Sequence, residues 1–139
     1  MGVSNKSVGN KLEEDICAVF GLHRWWATNL AQGRTGQPAD IIATRNGNAV
    51  LLDAKHCKSK YFDTTRMEFN QISAMNKWLD TNNGYCGFVL EFDAYPGVYW
   101  VVPFMYLKSR YPHRVSIEEV TSKGELIETF MRRIAKDET

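Results

Sequence analysis

Asp40 and Asp53 flank Asn46-Gly47, a dipeptide that accepts the positive φ values of a two-residue type I′ hairpin turn. With Asn46 and Gly47 as the whole loop, Arg45 faces Asn48 and opposed residue numbers sum to 93, which sets Asp40 directly across from Asp53. Lys55, two residues further on, shares the face of Asp53. Like charges with Cβ atoms about 4.5 to 5.5 Å apart destabilise a sheet. One reading is a solvated sheet face on which Lys55 screens the repulsion. The neighbours favour another: Ile41, Ile42, Val50, Leu51 and Leu52 make both runs apolar on both faces, as in strands covered on two sides. Burial there neutralises one carboxylate unless a cation is present, and an all-oxygen ligand set suits Mg²⁺, with Mn²⁺ able to substitute. Such an ion polarises a phosphodiester and lowers the pKa of its bound water. The Lys55 ammonium would orient or help deprotonate that water and offset charge on the pentacovalent phosphorus. The expected chemistry is metal-dependent hydrolysis of a nucleic-acid backbone.

The elements that must hold these groups are legible from periodicity. Val8, Leu12, Ile16, Val19 and Phe20 mark one stripe of a helix from about Ser7 to Phe20, with Glu13 on its shoulder, where it can complete the carboxylate set. Leu22 to Leu30 reads as a first strand, followed by a basic, glycine-bearing loop, Ala31 to Gln37. Ala39 to Arg45 and Asn48 to His56 form the hairpin. Thr65-Arg66-Met67-Glu68 matches a capping box opening a second helix, with Ile72, Met75 and Leu79 buried and a stop at Asn82-Asn83-Gly84. Tyr85 to Phe92 and Val98 to Val102 read as strands joined by a hairpin-length loop. A last helix starts at Ser122, with Glu125 three residues on, and buries Ile127, Phe130, Met131 and Ile134. The order predicts an α/β fold, a five-stranded sheet flanked by helices, in a single domain over residues 1–139.

Composition excludes other classes. The 44% hydrophobic and 24% charged fractions are those of an ordinary globular chain. The net charge of +1 announces no polyanion partner, but nine basic against six acidic residues up to Arg66, and eight against ten thereafter, place the positive excess in the front half. Cys17, Cys57 and Cys86 cannot all pair and show no C-x-x-C spacing. A reducing cytoplasm is expected, with no signal peptide, lipid anchor, membrane span or small-molecule cofactor. His56 beside Cys57 is a poor half-site for a metal, since adjacent strand residues point to opposite faces.

The run Gln37-Pro38-Ala39-Asp40, with Leu52-Asp53-Ala54-Lys55 placed so that twelve residues separate the aspartates, resembles the core signature of the PD-(D/E)XK nuclease superfamily. Gly9-Asn10-Lys11-Leu12-Glu13 resembles the Gly-x-x-x-Glu of the first helix in archaeal Holliday-junction resolvases of the Hjc type and in bacterial RecU. Phe69-Asn70-Gln71-Ile72, then Gly87 to Phe92, then Tyr99 to Phe104, is similar in order and spacing to segments of the same families. The resemblance implies a restriction-endonuclease-like core with a mixed sheet, and a homodimer that resolves four-way DNA junctions by paired nicks. It implies metal binding by Glu13, Asp40 and Asp53, with Lys55 as the lysine of the motif and Gln71 as a glutamine near the site. Capping or bridging of backbone groups is the alternative for Gln71. The segment between Leu30 and Gln37 is too short for the long stalk of RecU, and in this looks more like Hjc and phage-borne resolvases.

Three carboxylates repel DNA, so phosphate contacts are expected from the rim: Lys6, Lys11, Arg34, Lys58, Lys60 and Arg66, with Thr35 as a hydroxyl donor or a turn residue. The aromatic residues Tyr85, Phe88, Phe92, Tyr95, Tyr99, Trp100, Phe104 and Tyr106 are read either as a subunit interface or as cover for the sheet. Two other functions fit the same residues, a nuclease acting on flaps, single strands or a specific site, and a non-catalytic DNA-binding module.

Overall fold

Leu12, Ile16 and Phe20 recur at four-residue steps and are all buried along α1 (Asn5–Leu22), the spacing that turns one helical stripe onto a core. The structure, a computed structural model, describes residues 5–30, 39–81 and 84–136, with side chains from Lys11 onward. After α1 come β1 (Trp26–Asn29), β2 (Ile41–Arg45) and β3 (Asn48–Cys57), neighbours in antiparallel order. Asn46 and Gly47 have φ of 53° and 79°, as the tight turn requires. Arg45 pairs with Asn48 and Ile41 with Leu52, the register expected from the turn.

The strand β3 outruns β2. Pairing with β2 stops at Leu52, and residues 53–57 keep only β5 (Cys86–Phe92), which runs parallel to them. A parallel neighbour needs a long crossover. Here it contains β4 (Tyr61–Asp63), a 3₁₀ turn (Thr64–Arg66) and α2 (Phe69–Asp80). The chain returns through β6 (Trp100–Pro103), antiparallel to β5. It then forms α3 (Phe104–Arg110), β7 (Arg114–Ser116), α4 (Ile117–Lys123), β8 (Glu125–Leu126) and α5 (Ile127–Ala135).

The main sheet therefore has six strands rather than five, in the order β1-β2-β3-β5-β6-β8, and β4 and β7 make a separate two-stranded ribbon. Both added features are too short to carry a period. β8 is two residues that pair with Trp100 and Val101 along the edge of β6. That pairing also moves the helix starts. Glu125 lies in the sheet, so Ser122 sits inside α4 rather than capping the last helix, and α5 begins at Ile127. The working cap is Ser116, whose Oγ accepts from the Glu119 N–H at 3.1 Å. The second helix is likewise displaced: Thr65 belongs to the 3₁₀ turn, closed by Asp63 Oδ1 accepting from the Thr65 N–H at 2.9 Å, and α2 starts only at Phe69.

Apolar cores lie on both faces of the sheet. One joins α1 and α5 through Ile16, Phe20, Leu52, Val89, Val101 and Phe130. The other joins α2, α3, α4 and the ribbon through Phe62, Met75, Phe88, Leu107, Val115 and Val120. Phe88, Phe92, Tyr99 and Phe104 are buried in these cores, so most of the late aromatic excess covers the sheet, and only Tyr95 of the set is exposed. Among the described residues no helix is long and apolar enough to cross a membrane.

Candidate active site

Asp40 stands just before β2. Its N–H continues the ladder by donating to Leu52 O at 3.2 Å, and its Oδ2 accepts from the Ala54 N–H at 3.0 Å. The side chain thus satisfies a β3 amide that β2 is too short to reach. Across the register Asp53 is fully buried, with Oδ2 in an ion pair 3.2 Å from Lys55 Nζ and neither oxygen in a well-formed hydrogen bond. A buried carboxylate oxygen lacking a donor is costly. Burial pushes the Asp53 carboxyl well above the usual range, the Lys55 ammonium opposes this, and the Asp40 charge adds to it.

Glu13 reaches the same place from α1. Burial, and next the charge of Asp40, push its carboxyl up from 4.5 to about 7, against smaller opposing effects of the Asn29 amide and the Lys55 ammonium. Asp40 and Lys55 thus act on both Glu13 and Asp53, with opposite sign. A cleft of about 590 Å³ opens where β3 has lost its β2 neighbour, and Glu13, Asp40 and Lys55 line it while Asp53 lies buried beside Lys55.

The donor set fits a hard divalent ion: every candidate ligand is a carboxylate oxygen, and both buried Asp53 oxygens lack a hydrogen bond. As the side chains stand, no three His, Cys, Asp or Glu residues among those described surround one point closely enough to hold a metal. Asp40 is turned onto the Ala54 amide, so binding requires the carboxylates to close around the ion.

Of the expected rim, Lys58 and Arg66 line the cleft. Arg66 Nη1 donates to His56 O at 2.8 Å. Lys60 is exposed in the β3–β4 turn but is not part of the lining. Lys11 is exposed and lies 3.4 Å from Asp15, one helical turn on. Lys6 belongs to α1, but its side chain, like all of Arg34 and Thr35, lies outside the described residues. Gln71 is buried and absent from the cleft lining, and its Oε1 accepts from the Glu68 N–H at 3.0 Å. That is the backbone-capping alternative. His56, set aside above as half a metal site, lines the cleft together with Ser59, Tyr61 and Asp63, which no sequence motif marks. His56 is gripped by Glu91 Oε1 at 3.0 Å and Asp93 Oδ1 at 2.5 Å. Extending the period-two face beyond Lys55 would have reached Cys57 and Ser59; nothing local marks the three residues of β4 as a strand.

A mixed sheet with helices on both faces, its Asp-x₁₂-Asp-x-Lys site at the open end of the strand following the hairpin, defines a restriction-endonuclease-like protein of the PD-(D/E)XK superfamily. The sequence profile of the RecU family, Recombination protein U, matches residues 22–135. The chain belongs to that family. The matched region begins after Glu13, whose place at the site is given by the packing of α1. Among solved structures the chain is similar to Hjc of Archaeoglobus fulgidus, described as a Holliday junction resolvase from an archaeal hyperthermophile. The TM-score is 0.67 at 14% identity, covering 88% of this chain and 98% of that one, a likeness of fold. No curated protein matches the chain.

Proposed function

We propose that this RecU-family protein is a divalent-metal-dependent endonuclease that resolves four-way DNA junctions. The observation that carries the reading is Asp53, a fully buried carboxylate paired with Lys55 and with neither oxygen in a hydrogen bond, behind a cleft lined by Glu13, Asp40 and Lys55. Glu13, Asp40 and Asp53 would hold Mg²⁺, or Mn²⁺ in its place. The bound ion supplies Lewis-acid stabilisation of charge developing on the phosphate.

The chain's own groups do the rest. Lys55 Nζ donates to the attacking water on the cleft side, holds it in line with the scissile phosphorus, and offsets negative charge without reorganising. Its ion pair with Asp53 keeps the ammonium aimed along β3. The Ala54 N–H holds Asp40 and limits the conformations it samples before an ion arrives. Lys58 and Arg66, which line the cleft, and Lys60, Lys11, Lys6, Arg34 and Thr35 are assigned to phosphate contacts, and Gln71 to an indirect role through the start of α2. A two-fold symmetric dimer would present one such site to each of two matched strands of a junction, acting on DNA in the cytoplasm.

Cleavage of labelled four-way junctions, flaps and linear duplex tests the reading. Paired nicks at symmetric positions of the junction, dependent on Mg²⁺ or Mn²⁺, are expected. Equal cutting of linear DNA would assign a different nuclease activity, and junction binding without cutting in either metal would leave a DNA-binding module.

A further inference from the structure

The ribbon of β4 and β7 borders the cleft through β4 without belonging to the main sheet, and it carries a cation–π pair on its outer side. Tyr61 lines the cleft and is 45% exposed. The Arg114 guanidinium carbon lies 4.9 Å from the centre of its ring. The ribbon cannot drift, because Phe62 and Val115 are fully buried beneath it. The His113 carbonyl accepts from Thr64 Oγ1 at 2.7 Å, and the Lys60 carbonyl from the Ile117 N–H at 3.0 Å.

Arg114 pairs in register with Asp63, yet Asp63 Oδ1 accepts from Thr65, by its N–H at 2.9 Å and its hydroxyl at 2.6 Å. The Thr65 hydrogen bonds, and with them the Arg114 charge, hold the Asp63 carboxyl below its ordinary range, but no carboxylate among the described residues makes an ion pair with Arg114 within 4.0 Å. An arginine held against an aromatic ring loses little further side-chain freedom when its N–H groups meet an anion, and the guanidinium fork matches phosphate oxygens.

Resting on the proposed junction-cleaving function, we infer that Tyr61 and Arg114 form a backbone-phosphate clamp that seats one duplex arm across the cleft. The carboxylates lining the cleft repel a phosphodiester, and Lys58 and Arg66 attract it only at the near rim. The Tyr61–Arg114 pair adds a cation on the outer wall. It contributes affinity and seating independent of base sequence, since phosphate contacts carry none.

The test is binding of a fluorescent four-way junction by the full chain carrying Asp53→Asn, so that no strand is cut, across about 50 to 200 mM salt. Arg114→Ala should weaken binding about five-fold or more and lower the log–log salt slope by about one, as for one lost phosphate contact. Arg114→Lys keeps the charge and the slope while losing part of the affinity, and Tyr61→Leu, which removes the ring that holds the fork, should behave as Arg114→Lys does. Lys136→Gln, at the opposite end of β3 beside Gly47, should change nothing. An unchanged slope in Arg114→Ala, with its melting curve intact, overturns the clamp and leaves the nuclease reading standing. An equal loss in Lys136→Gln also overturns it, by showing only a response to net charge. A parent chain that binds no DNA fails at the functional reading itself, and the clamp falls with it.

Discussion

Lys55 Nζ lies 3.2 Å from Asp53 Oδ2 on the same face of β3, yet neither Asp53 oxygen is in a well-formed hydrogen bond. One cation thus serves the buried carboxylate while the Asp40 charge bears on both Asp53 and Glu13. Excess negative charge held in a partly dry site is a stability cost that a divalent ion relieves.

Asp53→Asn should abolish cleavage and leave junction binding in place, because the chain keeps its rim cations but loses the buried carboxylate beside Lys55. Lys55→Ala should abolish cleavage too but destabilise the apo fold, by on the order of 3 kcal/mol, since Asp53 then keeps no cation. Thermal melts and nicking assays of both variants measure these outcomes; residual nicking near the parental rate in either would remove that residue from the chemistry.

Glu13 predicts a pH signature. Its carboxyl titrates near 7 in the fold and near 4.5 when unfolded, so the folded state binds more protons between those values. Its contribution to stability is present in full below about pH 4.5 and is lost as pH rises towards 7, on the order of 1 to 2 kcal/mol after screening of a half-buried group. Glu13→Gln cannot lose a proton. In chelator, its stability relative to the parent should therefore increase across that window and level off above it. A constant difference from pH 5 to 8 would show that Glu13 does not titrate in this environment.

Metal affinity should follow the same protons. Calorimetric titration with Mn²⁺ is expected to show tighter binding at pH 8 than at pH 6, with proton release at the lower pH. Asp53→Asn should lose most of this heat. The melting temperature of the parent should rise with the ion and that of the variant should not.

Gln71 separates a capping role from a role in cleavage. Its Oε1 holds the Glu68 amide at the start of α2, so Gln71→Ala should cost about 1 kcal/mol in a denaturant melt. Gln71→Glu keeps an acceptor there and should restore that loss. Cleavage at saturating junction should stay within a few-fold of the parent in both. A loss of cleavage that Gln71→Glu does not rescue would point to a direct part for the amide.

The hairpin and its two aspartates were legible because their causes are local. Asn46-Gly47 dictates the turn, the turn dictates the register, and period two carries Lys55 to the face of Asp53. The helical stripe of α1 was equally plain, since Leu12, Ile16 and Phe20 all meet one core. Where two local signals competed, the sequence could not choose. Ser116 and Ser122 each precede a glutamate by three residues, and the backbone pairing of Glu125 with Val101 decided between them. The same holds for the site's surroundings. Tyr61 and Arg114 are 53 positions apart in the chain, and only the pairing of β4 with β7 brings them together. Local sequence determined the chemistry available along β3. Tertiary packing decided which distant charges face it, because contacts across strands and between layers leave no period in the chain that makes them.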